Sequence, residues 1–193
     1  MNRFPALIIA FFMGCFLAGS ALAQDGRVLA EAERITGDRF DVSMKTPKGA
    51  NVYAVHRPST TVLNAIDQGL TDLFAVARKN RYYKRLNYSD YSVYIGLADR
   101  TKDYQGQYSP DIRIPVAQYA GTVFDKGGYM YAAGMVISLE PCAFVIAEHT
   151  KDFDRVSNVV RYEGEHLVLY HNDRPRFAAT ADHSHGGSHP ILQ

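Results

Sequence analysis

Histidine is distributed unevenly along this chain. Six of its seven histidines, at positions 149, 166, 171, 183, 185 and 189, fall after residue 148. Three crowd into Asp182-His183-Ser184-His185-Gly186-Gly187-Ser188-His189, where two glycines let the backbone curl around an ion. Neutral imidazole is the commonest side-chain ligand for transition metals. Upstream, Glu163 and His166 are three residues apart, so a helix would direct both toward one point. Together with His183, His185 and His189 they would complete a site for zinc or another transition metal. An open coordination position would make such a centre hydrolytic, with Glu165 or Glu148 as candidate base. The competing reading is bland. Terminal His/Gly/Ser tracts often bind metal weakly without purpose, and no H-E-x-x-H pattern is present. His166 would then be a core histidine satisfied by Glu163 or Tyr170. Glu163 is the sharper residue, because Val156, Val159, Val160 and Leu167 share its helical face. A carboxylate there costs several kcal/mol unless paired, so it requires His166, Arg161 or a metal nearby.

Cys142 offers a second chemistry. Placed after Glu140-Pro141, it would sit at a helix start, where the helix dipole lowers a thiol pKa. With His166 or His189 as base it would form a Cys–His nucleophile pair of a thiol hydrolase. The alternative is a small buried hydrophobe.

A third constellation interleaves aromatic and basic residues. Arg81-Tyr82-Tyr83-Lys84-Arg85 follows Arg78 and Lys79 and precedes Tyr88, Tyr91 and Tyr94. Aromatic faces beside Lys and Arg can hold glycans or polyanions by stacking and charge. This supports a non-catalytic module that recognises a cell-envelope component or small ligand. The plainer reading is a basic helix end followed by a Tyr-rich strand.

The elements that must position these groups follow from periodicity. Residues 25–36 read as a short amphipathic helix with Val28, Leu29, Ala32 and Ile35 on one face. Residues 51–56 alternate as a strand. Ser59 or Thr60 can cap a helix whose stripe is Val62, Ile66, Leu70, Leu73 and Ala77. Strands are predicted at 92–97, 112–117, 121–124 and 129–139, with Asp125-Lys126-Gly127-Gly128 as a hairpin turn. Asp152 opens a second long helix, predicted to Asn172; a strand over 166–171 is the competitor. Helices around a run of strands without intervening helices predict a single α+β domain, an antiparallel sheet with packed helices.

Composition bounds the rest. The chain has 193 residues, 21 Lys plus Arg against 20 Asp plus Glu, and 47% apolar residues. Near-neutral charge gives no argument for nucleic acid, and this much apolar content is not that of a disordered chain. Met1-Asn2-Arg3, the apolar run 4–17 and Ala21-Leu22-Ala23 together read as a secretory signal peptide cleaved after residue 23. No transmembrane segment is expected. The expected organisation is a signal peptide over 1–23, a globular domain over 24–181 and a His/Gly-rich tail over 182–193. The protein is thus expected to be periplasmic or extracellular, with Cys142 as its single remaining thiol.

Overall fold

Two apolar strands at the centre of the molecule are buried on both faces, and everything else is layered on them. The computed structural model describes residues 26–98, 111–123, 125, 130–183 and 187–192. The signal-peptide reading, His185 and most of the 125–128 turn lie outside the described residues. Strands β1 (Val42–Lys45), β2 (Asn51–Ala54), β3 (Tyr91–Gly96), β4 (Ile112–Ile114), β5 (Met130–Ala132), β6 (Gly134–Ser138) and β7 (Cys142–Ala147) alternate with helices α1 (26–36), α2 (Thr60–Lys79), α3 (Val116–Tyr119), α4 (Phe153–Asn172) and α5 (Arg174–Thr180). The main sheet has the order β1-β2-β3-β7-β6, and β4-β5 form a separate pair. The fold is α+β.

Alternation along β3 and β7 sends their side chains to two different cores. Val93, Ile95, Phe144 and Ile146 pack under α2 and α4; Tyr94, Ala143, Val145 and Ala147 pack under α1 and β4. Strands enclosed this way read as continuous apolar runs. Both helices on the first face are capped as their sequences suggest. The Ser59 hydroxyl accepts the Val62 N–H at 3.3 Å, and the Asp152 carboxylate accepts the Arg155 N–H at 2.9 Å. The stripe Val62, Ile66, Leu70, Leu73 and Ala77 is buried throughout. α2 and α4 cross closely because Gly69 faces Ser157 and Val160, while Gly164 faces Leu73; a Cβ at either glycine would overlap these neighbours.

Four expectations from the sequence are corrected. The sheet is mixed: β1/β2 and β6/β7 are antiparallel, but β2/β3 and β3/β7 are parallel. The chain leaves β3, forms β4, α3, β5 and β6 elsewhere, and returns as β7 between β3 and β6. The strand predicted over 112–117 stops at Ile114, since Pro115 begins the single turn α3, and residues 121–123 form turns. The long strand predicted over 129–139 divides at Ala133: β5 pairs with β4, and β6 pairs with β7. Over 166–171 the helix prevails, because α4 runs unbroken to Asn172.

Candidate metal centre

The last turns of α4 and the C-terminal segment meet around three histidines. α4 places Glu165 and His166 side by side, both buried, on its inner surface. Beyond α5 the chain folds back. Gly187 donates its N–H to the Asp182 carbonyl at 2.9 Å, and Ser188 donates to the Thr180 carbonyl at 3.1 Å. Gly187 is required by this approach: a Cβ there would lie 2.5 Å from the Thr180 carbonyl oxygen. Ile191 then inserts into the main core at 7% exposure. This return brings the rings of His183 and His189 over His166.

The three rings form a triangle. Their centroids are 5.1 Å apart for His166–His183, 4.9 Å for His166–His189 and 4.7 Å for His183–His189. One nitrogen or other ligand atom from each lies within 4.8 Å of the others, close enough to hold a metal ion. A tetrahedral zinc ion sets its ligand nitrogens about 3.4 Å apart, so small ring rotations would close the site. His166 is buried, His189 half-buried and His183 exposed, which leaves the triangle open on its His183 side.

Glu165 orients the assembly. Its carboxylate is fully buried and accepts two hydrogen bonds, from His189 Nδ1 at 2.8 Å and from the Ile191 N–H at 2.8 Å. A histidine that donates Nδ1–H to a carboxylate presents the Nε2 lone pair to a metal. Among the described residues no Lys or Arg is paired with Glu165; its one ion-pair partner is His189. Burial, reinforced by the neighbouring His189 and His183, holds the His166 pKa down to about 3, so His166 is neutral over the physiological range. Burial likewise lowers His183. Neutral rings are the ligating form.

The other sequence candidates are placed elsewhere. Glu163 does not pair with His166. Its side chain lies against Gly134, and its carboxyl accepts the Val136 N–H of β6. Burial pushes that carboxyl up to about 8, so the protonated form resolves the charge that the sequence reading assigned to a partner. Glu165, the other candidate base, accepts from His189 and Ile191. Glu148 accepts from His56 at 3.0 Å, beside a cleft of about 330 Å³ that His149 also lines. Cys142 begins β7 rather than a helix. Its Sγ lies 3.4 Å from Nε2 of His171, not near His166 or His189, and that Nε2 also lies 2.9 Å from the Leu139 carbonyl. Burial pushes the thiol up to about 12, which favours its protonated form.

The Tyr/basic segment is largely tied into the fold. The Tyr82 hydroxyl donates to Asp173 at 2.7 Å, and the Tyr83 and Lys84 N–H groups donate to Asn172 Oδ1 at 3.0 and 2.9 Å. Arg85 pairs with Glu140 at 2.8 Å, and Arg81 and Arg85 occupy left-handed backbone conformations. Tyr83 alone of its neighbouring tyrosines projects fully, at 69% exposure.

The role of Glu165 as an orienting carboxylate was not legible in the sequence. The usable signal was its position immediately before His166 in a helix whose other inner residues are apolar. No known family model, curated protein or solved structure matches this chain.

Proposed function

We propose that this is an exported protein that binds one transition-metal ion of the zinc type through His166, His183 and His189. The observation that supports this reading is the buried Glu165 carboxylate hydrogen-bonded to His189 within a triangle of three imidazoles. A buried carboxylate without a cation is costly, and an ion held by His189 would supply the missing positive charge. Three neutral nitrogens are a borderline-soft donor set suited to zinc, copper, nickel or cobalt and poorly suited to magnesium or calcium. They also resist the oxidation that would threaten thiolate ligands in an oxidising compartment. Three histidines plus an open position form the donor set of a hydrolytic zinc centre, where bound water becomes acidic near neutrality. Hydrolysis is therefore the activity proposed for the site, with the His183 side as the approach for substrate. Across the described helices, none is long and apolar enough to cross a membrane.

Equilibrium dialysis against buffered zinc tests the reading. Residues 24–193, which contain the whole described fold, should retain one ion per chain. His166→Ala, His183→Ala and His189→Ala should each weaken retention at least tenfold, with combined losses far from additive because one site is dismantled repeatedly. Undiminished retention in the triple variant, or none in the unsubstituted protein, would overturn it.

A further inference from the structure

We propose that the end of the molecule formed by the C-termini of α2 and α4 docks on anionic phospholipid membranes. The tertiary fold brings two distant segments together there. Residues 78–85 and 172–176 are joined by hydrogen bonds from Tyr82 to Asp173, from the Tyr83 and Lys84 N–H groups to Asn172, and from Arg176 to the Tyr82 hydroxyl at 3.1 Å. These segments contain seven Lys or Arg (78, 79, 81, 84, 85, 174 and 176) against Asp173 alone, in a chain whose overall net charge is +1. That concentration is a strong local field on a nearly neutral protein.

Most of these cations are uncommitted. Arg78, Lys79, Arg81 and Lys84 are exposed and form no ion pair with the described acidic residues. Arg174 is also exposed, with its guanidinium 3.4 Å from the Tyr170 ring centroid. Asp173, the one acidic residue of the two segments, is paired with Arg176 at 3.9 Å and accepts a hydrogen bond from the Tyr82 hydroxyl. Tyr83 stands among these cations at 69% exposure, an aromatic with an apolar ring and polar tip suited to the headgroup region. A stacking platform for sugars needs several exposed rings. Here Tyr91 and Tyr94 are buried, Tyr82 is half-buried and the Tyr170 ring lies under Arg174, so among the described residues the surface carries its charge with one fully exposed aromatic, Tyr83. None of the seven cations lines the clefts at His56 and Glu148 or at Asp38 and Gln118, and the cleft at Arg27 and Pro141 touches the surface only through Glu140, the partner of Arg85. A projecting cationic surface fits an extended anionic plane better than a small ligand.

Co-sedimentation with vesicles tests this using residues 24–193. Binding is expected to phosphatidylcholine vesicles containing phosphatidylglycerol, and not to phosphatidylcholine alone. It should fall steeply with added salt, since screening acts within about 10 Å. Each cation near an anionic surface contributes about fivefold in partitioning. Lys79→Gln should lose about that factor, and Lys79→Glu with Lys84→Glu at least about 25-fold. Tyr83→Ala should weaken binding without changing the salt dependence, and Lys45→Glu, on the exposed side of β1, should change nothing. Equal binding to neutral vesicles, no binding to either, or retention on a sulfated polysaccharide but not on vesicles would each overturn the membrane assignment. These outcomes are independent of metal binding.

Discussion

Replacing Glu165 by Gln is the most informative perturbation of the proposed centre. The carboxylate accepts two N–H groups, one from His189 and one from Ile191. A carboxamide has one acceptor oxygen and one donor NH2, so it can satisfy only one of them and confronts the other donor with a donor. In metal-free protein this should cost about 1–3 kcal/mol, the penalty for a buried unsatisfied group. The metal-bound protein should lose more, because the carboxylate that fixes the His189 ring and balances the ion is gone. Loss of such a partner weakens metal binding about 10–100-fold. At free zinc 1,000 times the unsubstituted protein's Kd, zinc should stabilise that protein by about 4.1 kcal/mol. The same zinc is then only about 10–100 times the variant's Kd, giving about 1.4–2.7 kcal/mol. The zinc-dependent gain should thus shrink to between about one third and two thirds of its original size. Thermal unfolding in EDTA and in buffered zinc reads this directly, with each protein compared against its own EDTA value. For a domain this size the unsubstituted protein should rise by about 8–16 °C. An equal zinc-dependent rise in Glu165→Gln would refute the orienting role. A melting temperature indifferent to zinc, copper and EDTA alike would refute the metal site itself.

Three further outcomes follow from the packing. Leu70→Ala should cost about 2–5 kcal/mol in a denaturant titration, because Leu70 is fully buried, whereas Asn64→Ala on the exposed side of α2 should cost little. Glu163 has a folded-state pKa raised from 4.5 to about 8, so the folded protein keeps a proton that the unfolded chain releases. Its contribution is full below pH 4.5 and is lost as pH rises toward 8, by up to about 1.4 kcal/mol per unit. Glu163→Gln should therefore raise the melting temperature relative to the unsubstituted protein at pH 8.5 but not at pH 4; a pH-independent difference would contradict that. Cys142 should resist iodoacetamide at pH 8 until denaturant is added, as mass spectrometry would show; rapid alkylation of the folded protein would contradict the buried, high-pKa thiol.

What the sequence by itself determined was local. The Ser59 cap, the α2 stripe, the Asp152 start of α4 and the amphipathic α1 were readable because they depend on residues within a few turns of one another. The clustering of histidines after residue 148 was equally plain, and it drew attention to His166, His183, His185 and His189 as one group. Pairing and partnership were not readable. β7 could not be placed beside β3, because that parallel contact depends on an excursion of some 45 residues between them rather than on either strand's own pattern. Burial beside His166 made Glu163 the natural carboxylate for the site; yet a rotation of two residues around α4 turned Glu163 toward β6 and Glu165 toward the returning tail. Cys142 lost its expected partners for the same reason: the strand that it begins starts against His171, and burial pushes the thiol pKa up. Side-chain chemistry is written in the sequence, whereas which groups meet and how much water they lose is decided only when distant segments pack.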